Sequence, residues 1–185
     1  MFETIAGIIA VVTGYILKAS WLMLPAYIAN PTAVVFGGGT PIDFGKNWKD
    51  GRRILGDGKT FRGLIGGTVC GIIVGLIQMQ APSQFSWGAF TLAAIVALSF
   101  GALLGDIVKS FFKRRLGLAR GAEFPLVDQL DFVAGAWILS YIVEPKWFIE
   151  NFTFGIIITV IIFTPILHRL TNIIGYYAKL KKEPW

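Results

Sequence analysis

Gly105-Asp-Ile-Val-Lys-Ser-Phe-Phe-Lys-Arg-Arg-Leu-Gly117, followed after a short gap by Pro125-Leu-Val-Asp-Gln-Leu-Asp131, decides how this chain is read. The first stretch closes an apolar run that begins near Trp87. The second opens another that continues to Val143. Runs of this length approach the ~20 residues that a helix needs to cross hydrocarbon. Three carboxylates and a run of cations therefore stand at the edge of a bilayer. Charge in that position is expensive and is rarely there without a task. Acids able to hold a divalent cation, beside bases able to hold phosphates, point to phosphoryl or nucleotidyl transfer at a membrane surface.

The rest of the composition agrees with a membrane setting. Of 185 residues, 55% are hydrophobic and only 15% charged, against roughly 25% charged in soluble domains. Mean hydropathy is +0.66. The expected fold is an all-α integral membrane protein, a single catalytic domain over 1–185. The net charge of +6 and pI of about 9.6 fit loops facing anionic lipid or a polyanionic substrate, with no nucleic-acid partner. The single cysteine, Cys70, lies in an apolar run and excludes an internal disulfide. The opening Met1-Phe2-Glu3 lacks the basic region of a secretory signal. It reads as the start of the first span.

Five spans are predicted, at about 4–27, 64–79, 87–108, 126–143 and 154–176. Pro125 suits a first helical position and supports the start of the fourth. Cations set the orientation. Lys46, Lys49, Arg52, Arg53, Lys59 and Arg62 crowd the first loop. Lys113, Arg114, Arg115 and Arg120 follow span three, and Lys179, Lys181 and Lys182 lie in the tail. The other two connections carry only Lys146. The expected topology has the N-terminus outside, the C-terminus in the cytoplasm and two cytoplasmic loops, so all the chemistry falls on the cytoplasmic side of the cell membrane. Gly63, Gly67, Gly71 and Gly75, then Gly101 and Gly105, recur every four residues. That spacing lets helices approach closely in lipid.

Within span three, Asp106, Lys109 and Lys113 fall at i, i+3 and i+7 in one wedge, flanked by Ser110 and Arg114. A structural ion pair is one reading of this wedge. A positive-inside anchor is another, and Arg115 in particular falls on a different face as a surface anchor. Asp128 and Asp131 are three apart and share a face of span four. They either complement the helix dipole or, with Asp106 at the same level, form a cation site. Three carboxylates so close would repel without a cation between them. Mg²⁺, hard and oxygen-seeking, is the expected ion.

The loop segment Gly56-Asp-Gly-Lys-Thr-Phe-Arg-Gly63 places Lys59, Thr60 and Arg62 among glycines at the entrance to span two. Amides of a helix N-terminus with two cations can cradle phosphate oxygens. A glycine-rich turn with interfacial anchors has the same composition, and the Walker spacing is absent. Asn30-Pro31 and Gly37-Gly38-Gly39 read as turns in the same loop. Asp43 and Lys46 are substrate contacts or solvated charges. Arg169 snorkels, Lys18 lies deeper, and His168 is given no chemistry.

These motifs resemble a known family. Lys59-Thr-Phe-Arg-Gly-Leu-Ile-Gly-Gly67 is similar to the Lys-Thr-x-x-Gly-x-x-Gly-Gly stretch of the CTP:phosphatidate cytidylyltransferases, or CDP-diacylglycerol synthases. Asp106 to Asp131 is similar to their signature, with its Lys, Lys-Arg and closing Asp-x-x-Asp. The small size, Pro41-Ile-Asp-Phe-Gly45 and Asp128-Gln-Leu-Asp-Phe132 resemble the archaeal branch, the CDP-archaeol synthases. The chain lacks the Pro-Gly-His-Gly-Gly segment and carries Gln129 where the bacterial and eukaryotic enzymes have Arg. The resemblance implies Mg²⁺-dependent transfer of CMP from CTP to an ether-lipid phosphate, giving CDP-archaeol and pyrophosphate. It implies catalytic roles for Asp106, Lys109, Lys113, Asp128 and Asp131. Asp106, Asp128 and Asp131 would hold metal. Lys59, Thr60, Arg62, Lys109, Lys113, Arg114, Asp43 and Lys46 would contact substrate.

A diacyl-lipid cytidylyltransferase is the near alternative. A CDP-alcohol phosphotransferase requires Asp-Gly-x-x-Ala-Arg, which Asp50-Gly-Arg-Arg53 fails. An anion transporter fits intramembrane charge but not five spans without an inverted repeat. For the enzyme, a polar cavity is expected at the cytoplasmic interface, with a lateral apolar groove for lipid.

Overall fold

The computed structural model describes residues 2–82, 88–118, 122–177 and 179. Arg120, Lys181, Lys182 and the expected start of span three at Trp87 lie outside them. Among the described residues the helices are, in order, α1 (Phe2–Val35), α2 (Phe61–Met79), α3 (Leu92–Arg115), α4 (Val127–Val143), α5 (Pro145–Asn151) and α6 (Phe154–Tyr177). Among the described residues, α1, α2, α3 and α6 are long and apolar enough to cross a membrane. The protein is a multi-pass integral membrane protein. The expected fourth span, α4, has 17 residues. At ~1.5 Å per residue it reaches about 25 Å, a little short of a ~30 Å hydrocarbon core.

Helix α1 runs further than predicted. Asn30-Pro31 was expected to turn, but the helix continues to Val35 with Pro25 and Pro31 inside it. Proline removes one helical hydrogen bond. Pro31 has no N–H for the Tyr27 carbonyl, and next to it the Thr32 hydroxyl shares its proton between the Ile28 carbonyl at 2.6 Å and that of Ala29 at 3.1 Å, which already belong to the helix ladder. Pro125 also departs from expectation. It lies in a turn, and α4 starts two residues later behind Leu126, whose φ is 63°.

The glycine rows do pack helices. Gly63, Gly67, Gly71 and Gly75 are all buried on one face of α2. A Cβ on Gly63, Gly67 or Gly71 would lie 2.6–2.7 Å from the carbonyls of Ala33, Ala29 or Pro25 in α1. On the other side, a Cβ on Gly101 would lie 2.7 Å from the Gly135 carbonyl of α4. Helix α4 is thus held backbone to backbone against α3. Ala19, Leu22, Met23 and Ala26 of α1 meet Ile95, Leu98, Val133 and Ile156 in the core. The short α5 caps the opposite end, where Trp147 Nε1 donates to the Ala89 carbonyl at 2.6 Å.

Residues 36–60 form a compact loop at the end of the bundle where α2 begins and α3 finishes. Asp43 is its organiser. The buried carboxylate accepts from the Arg53 guanidinium at 2.7 Å and from the amides of Gly45, Leu55 and Gly56 at 2.9–3.1 Å. Burial alone would raise this carboxyl. The Arg53 bond, then the Gly56, Leu55 and Gly45 amides, outweigh burial and hold it well below the usual carboxylate range.

Candidate active site

Four charged side chains meet where α3 and α4 run side by side, and a fifth and sixth reach in from either end. Lys109 on α3 points its ammonium at Asp106 one turn earlier (3.0 Å), and at Asp128 (3.3 Å) and Asp131 (2.9 Å) on α4. Lys59, the last residue of the loop before the α2 cap, pairs with Asp106. Lys113 pairs with both Asp128 oxygens at 3.0 Å and donates to the Ala122 carbonyl at 2.5 Å. The Phe124 amide also donates to Asp128, at 2.7 Å. The predicted wedge of Asp106, Lys109 and Lys113 and the shared face of Asp128 and Asp131 are both realised. Three acids and three bases cancel one another, which is how such charge persists at a bilayer edge.

Burial is graded across the cluster. The Asp131 side chain is 4% exposed and that of Asp128 is 25% exposed. Asp131 Oδ1 is buried with no hydrogen-bond donor. A buried carboxylate oxygen without a partner is costly. Among the described residues, no three His, Cys, Asp or Glu side chains are placed to ligate one ion as they stand. The point where the three aspartates converge carries the Lys109 ammonium instead. Hard carboxylate donors, one with an unsatisfied oxygen, nevertheless fit a hard divalent ion. The residues fit it if Lys109 gives way.

Other predicted contacts do not join the cluster. Asp43 is buried, not solvated, and its bonds go to the loop's own framework. Lys46 is exposed, and Arg62 is exposed with its stem against Gly39. Thr60 is buried and caps α2 by accepting from the Gly63 amide at 3.1 Å. Arg114 is half-buried, with Nε shielded and unpartnered. The cleft beside Lys59 and Asp106 has a volume of about 40 Å³, well below the ~300–1,000 Å³ of sites that engulf small ligands. Among the described residues, the expected polar cavity is no wider beside Lys59 and Asp106 than this cleft. A larger space of about 510 Å³, lined by Trp21, Leu24, Val74 and Ile77, lies towards the other end of α2 and is mostly apolar.

The family model described as CDP-archaeol synthase (CarS-like) matches residues 12–185. The chain belongs to the CDP-archaeol synthase family. It is similar to the CDP-archaeol synthase of Methanosarcina barkeri, 58% identical over 175 residues, covering 88% of this chain and 100% of that protein. The synthase of Methanocella arvoryzae is 54% identical over 179 residues, with the same coverage. A solved structure, of an intramembrane enzyme for archaeal membrane lipid biosynthesis, superposes with a TM-score of 0.73 at 42% identity. It covers 85% of this chain and 94% of that one. As a member of the CDP-archaeol synthase family, this chain is an enzyme, a cytidylyltransferase.

One residue changes role within this CDP-archaeol synthase frame. Arg115 was expected on a free face as an anchor. Instead its guanidinium pairs with Asp50 at 2.7 Å and donates to the Arg53 carbonyl at 2.5 Å. It also lies 5.1 Å from the Phe111 ring centre. The third cation of a Lys-Arg-Arg run gave no sign of this, since the partners are more than sixty residues away.

Proposed function

We propose that the chain transfers CMP from CTP to an ether-lipid phosphate, an unsaturated archaetidic acid, releasing pyrophosphate and forming CDP-archaeol. The observation that carries this reading is the convergence of Asp106, Asp128 and Asp131 on one point, with Lys59, Lys109 and Lys113 in contact with them. Such a set has both halves that a nucleotidyl transfer needs: oxygens for a divalent ion and ammonium groups for a triphosphate.

A lipid phosphate oxygen bonds to the α-phosphorus, and the bond from that phosphorus to the bridging oxygen of pyrophosphate breaks. The nucleophile is already an anion, so no general base is required. Lys59, Lys109 and Lys113 exchange aspartate partners for phosphate oxygens and steady the charge that builds on the leaving group. Positioning supplies most of the rate. Asp106, Asp128 and Asp131 would hold Mg²⁺, which when bound neutralises phosphate charge. The cations of the loop and of the α3 terminus favour the cytoplasmic side for this end, where CTP would arrive from water and the lipid from the bilayer. The narrow cleft implies that the Lys59 side chain moves off Asp106 to admit the nucleotide.

The test is direct. Purified full-length protein is incubated with labelled CTP, Mg²⁺ and an ether-lipid phosphate. Equal amounts of CDP-lipid and pyrophosphate are expected. Release of CMP in place of pyrophosphate, or no lipid product, would overturn the reading.

A further inference from the structure

The loop and α3 hold each other by a reciprocal arginine clasp at the C-terminal end of α3, nine residues beyond Asp106. Arg115 of α3 pairs with Asp50 at 2.7 Å and donates to the loop carbonyls of Arg53 at 2.5 Å and Arg52 at 3.3 Å. Arg52 of the loop returns a bond of 2.8 Å to the Arg115 carbonyl at the α3 terminus. A cation is well placed there, against the negative end of the helix dipole. Trp48 packs edge-on against Phe111, with ring centres 5.4 Å apart, and the Arg115 guanidinium lies near both rings.

The clasp leads into the site through an unbroken chain of bonds. Arg53, gripped at its carbonyl by Arg115, pairs through its side chain with Asp43 at 2.7 Å. Asp43 fixes the amides of Leu55 and Gly56 at 2.9 Å. The Gly56 carbonyl accepts from the Lys59 amide at 3.2 Å, and the Lys59 carbonyl accepts from the Ile42 amide at 2.8 Å. Lys59 then pairs with Asp106. One rigid piece of loop thus spans α3 between residues 106 and 115, with a reactive lysine at one end and the arginine clasp at the other. We propose that Arg115 is a positioning residue: by holding the loop on α3 through Asp50, Arg52 and Arg53, it fixes where Lys59 meets Asp106 and the nucleotide. This rests on the nucleotidyl-transfer reading above.

Positioning through Lys59 differs from general support in one measurable way. If Arg115 acts through Lys59, its removal matters only while Lys59 is present. The experiment is a cycle on the full-length protein of Arg115→Ala, Lys59→Ala and the double variant, reading kcat and KM for CTP together with the melting temperature. Arg115→Ala is expected to lower kcat/KM roughly ten- to a hundredfold. In the Lys59→Ala background it should change kcat/KM less than about twofold. Arg115→Lys should not rescue fully, because an ammonium lacks the planar fork that serves Asp50 and two carbonyls at once. If Arg115→Ala does not fold, Asp50→Asn is carried through the same cycle, since it weakens the clasp without touching α3. Full multiplicative loss in the double variant, or no loss in either single clasp variant, would overturn the proposal. Inactivity of the wild-type protein with CTP would overturn the underlying reading instead, so the two failures are separable.

Discussion

Lys109 and Asp131 face each other across the α3–α4 contact, 2.9 Å apart, in the most enclosed part of the charged cluster. The other Asp131 oxygen has no donor. Asp131 is therefore the carboxylate with the most to gain from a bound cation. Asp131→Asn should abolish turnover while leaving insertion and the melting temperature in detergent nearly unchanged. Activity above a few per cent of wild type at saturating Mg²⁺ would remove Asp131 from the metal site.

Lys113 carries a different expectation from Lys109. It holds Asp128 and the Ala122 carbonyl, so it braces the connection into α4. Lys113→Ala strips one charge-assisted contact, worth roughly 1.5–3 kcal/mol, and should reduce kcat/KM for CTP about ten- to a hundredfold. Steady-state kinetics on the purified variant checks this.

Helix spacing can be probed by adding single methyl groups. A Cβ on Gly67 would lie 2.6 Å from the Ala29 carbonyl, whereas one on Gly14 would meet nothing within 4 Å. Gly67→Ala should destabilise the fold by about 1–3 kcal/mol through overpacking. Gly14→Ala should be neutral. Thermal melts of the two variants side by side would show it, and equal melts would mean that the α1–α2 contact gives way easily.

The loop should resist acid down to a definite limit. Asp43 has a folded value below the ordinary carboxylate range, so it stabilises the loop at every pH above about 4. That contribution disappears as pH falls further and the carboxylate takes up a proton. Protease cleavage within residues 36–60 should stay slow from neutral pH to about 5 and quicken below about 4. Asp43→Asn should be cleaved readily throughout. A variant as protected as the wild type would show that Asp43 does not hold the loop.

Orientation is open to chemical labelling. With Cys70 replaced, single cysteines at Pro82 and Lys179 should react with impermeant reagents from opposite sides of the membrane. Labelling of both from one side would overturn the topology and the cytoplasmic placement of the site.

Much of this was legible in the sequence, for reasons that differ from element to element. Helical spacing put Asp106 with Lys109, and Asp128 with Asp131, because neighbours at three residues need no tertiary information. The glycine rows were legible because close approach leaves a composition mark. The first span was ended at about residue 27 because Asn30-Pro31 reads as a turn, and the close packing of Ala29 and Ala33 on the α2 glycines, which accompanies the helix on to Val35, cannot be read from local propensity. The burial of Asp43 and the clasp of Arg115 were not legible because their partners come from other positions in an irregular loop. Exposed and buried charges have the same one-letter code, and only the fold separates them.

The contact between α3 and α4 has a consequence for how this site tolerates its surroundings. A side chain at Gly105 would run into the backbone around Asp131, and Gly101 is as close to Gly135. The spacing of the acids is therefore set by main chain resting on main chain, without flexible side chains between. Such a joint has almost no compliance across it. Changes in lateral pressure, as lipids are exchanged or the temperature moves, will be taken up at the lipid-facing surfaces of the other helices. The distance from Asp106 to Asp131 should stay constant while the solvent around the protein is remade.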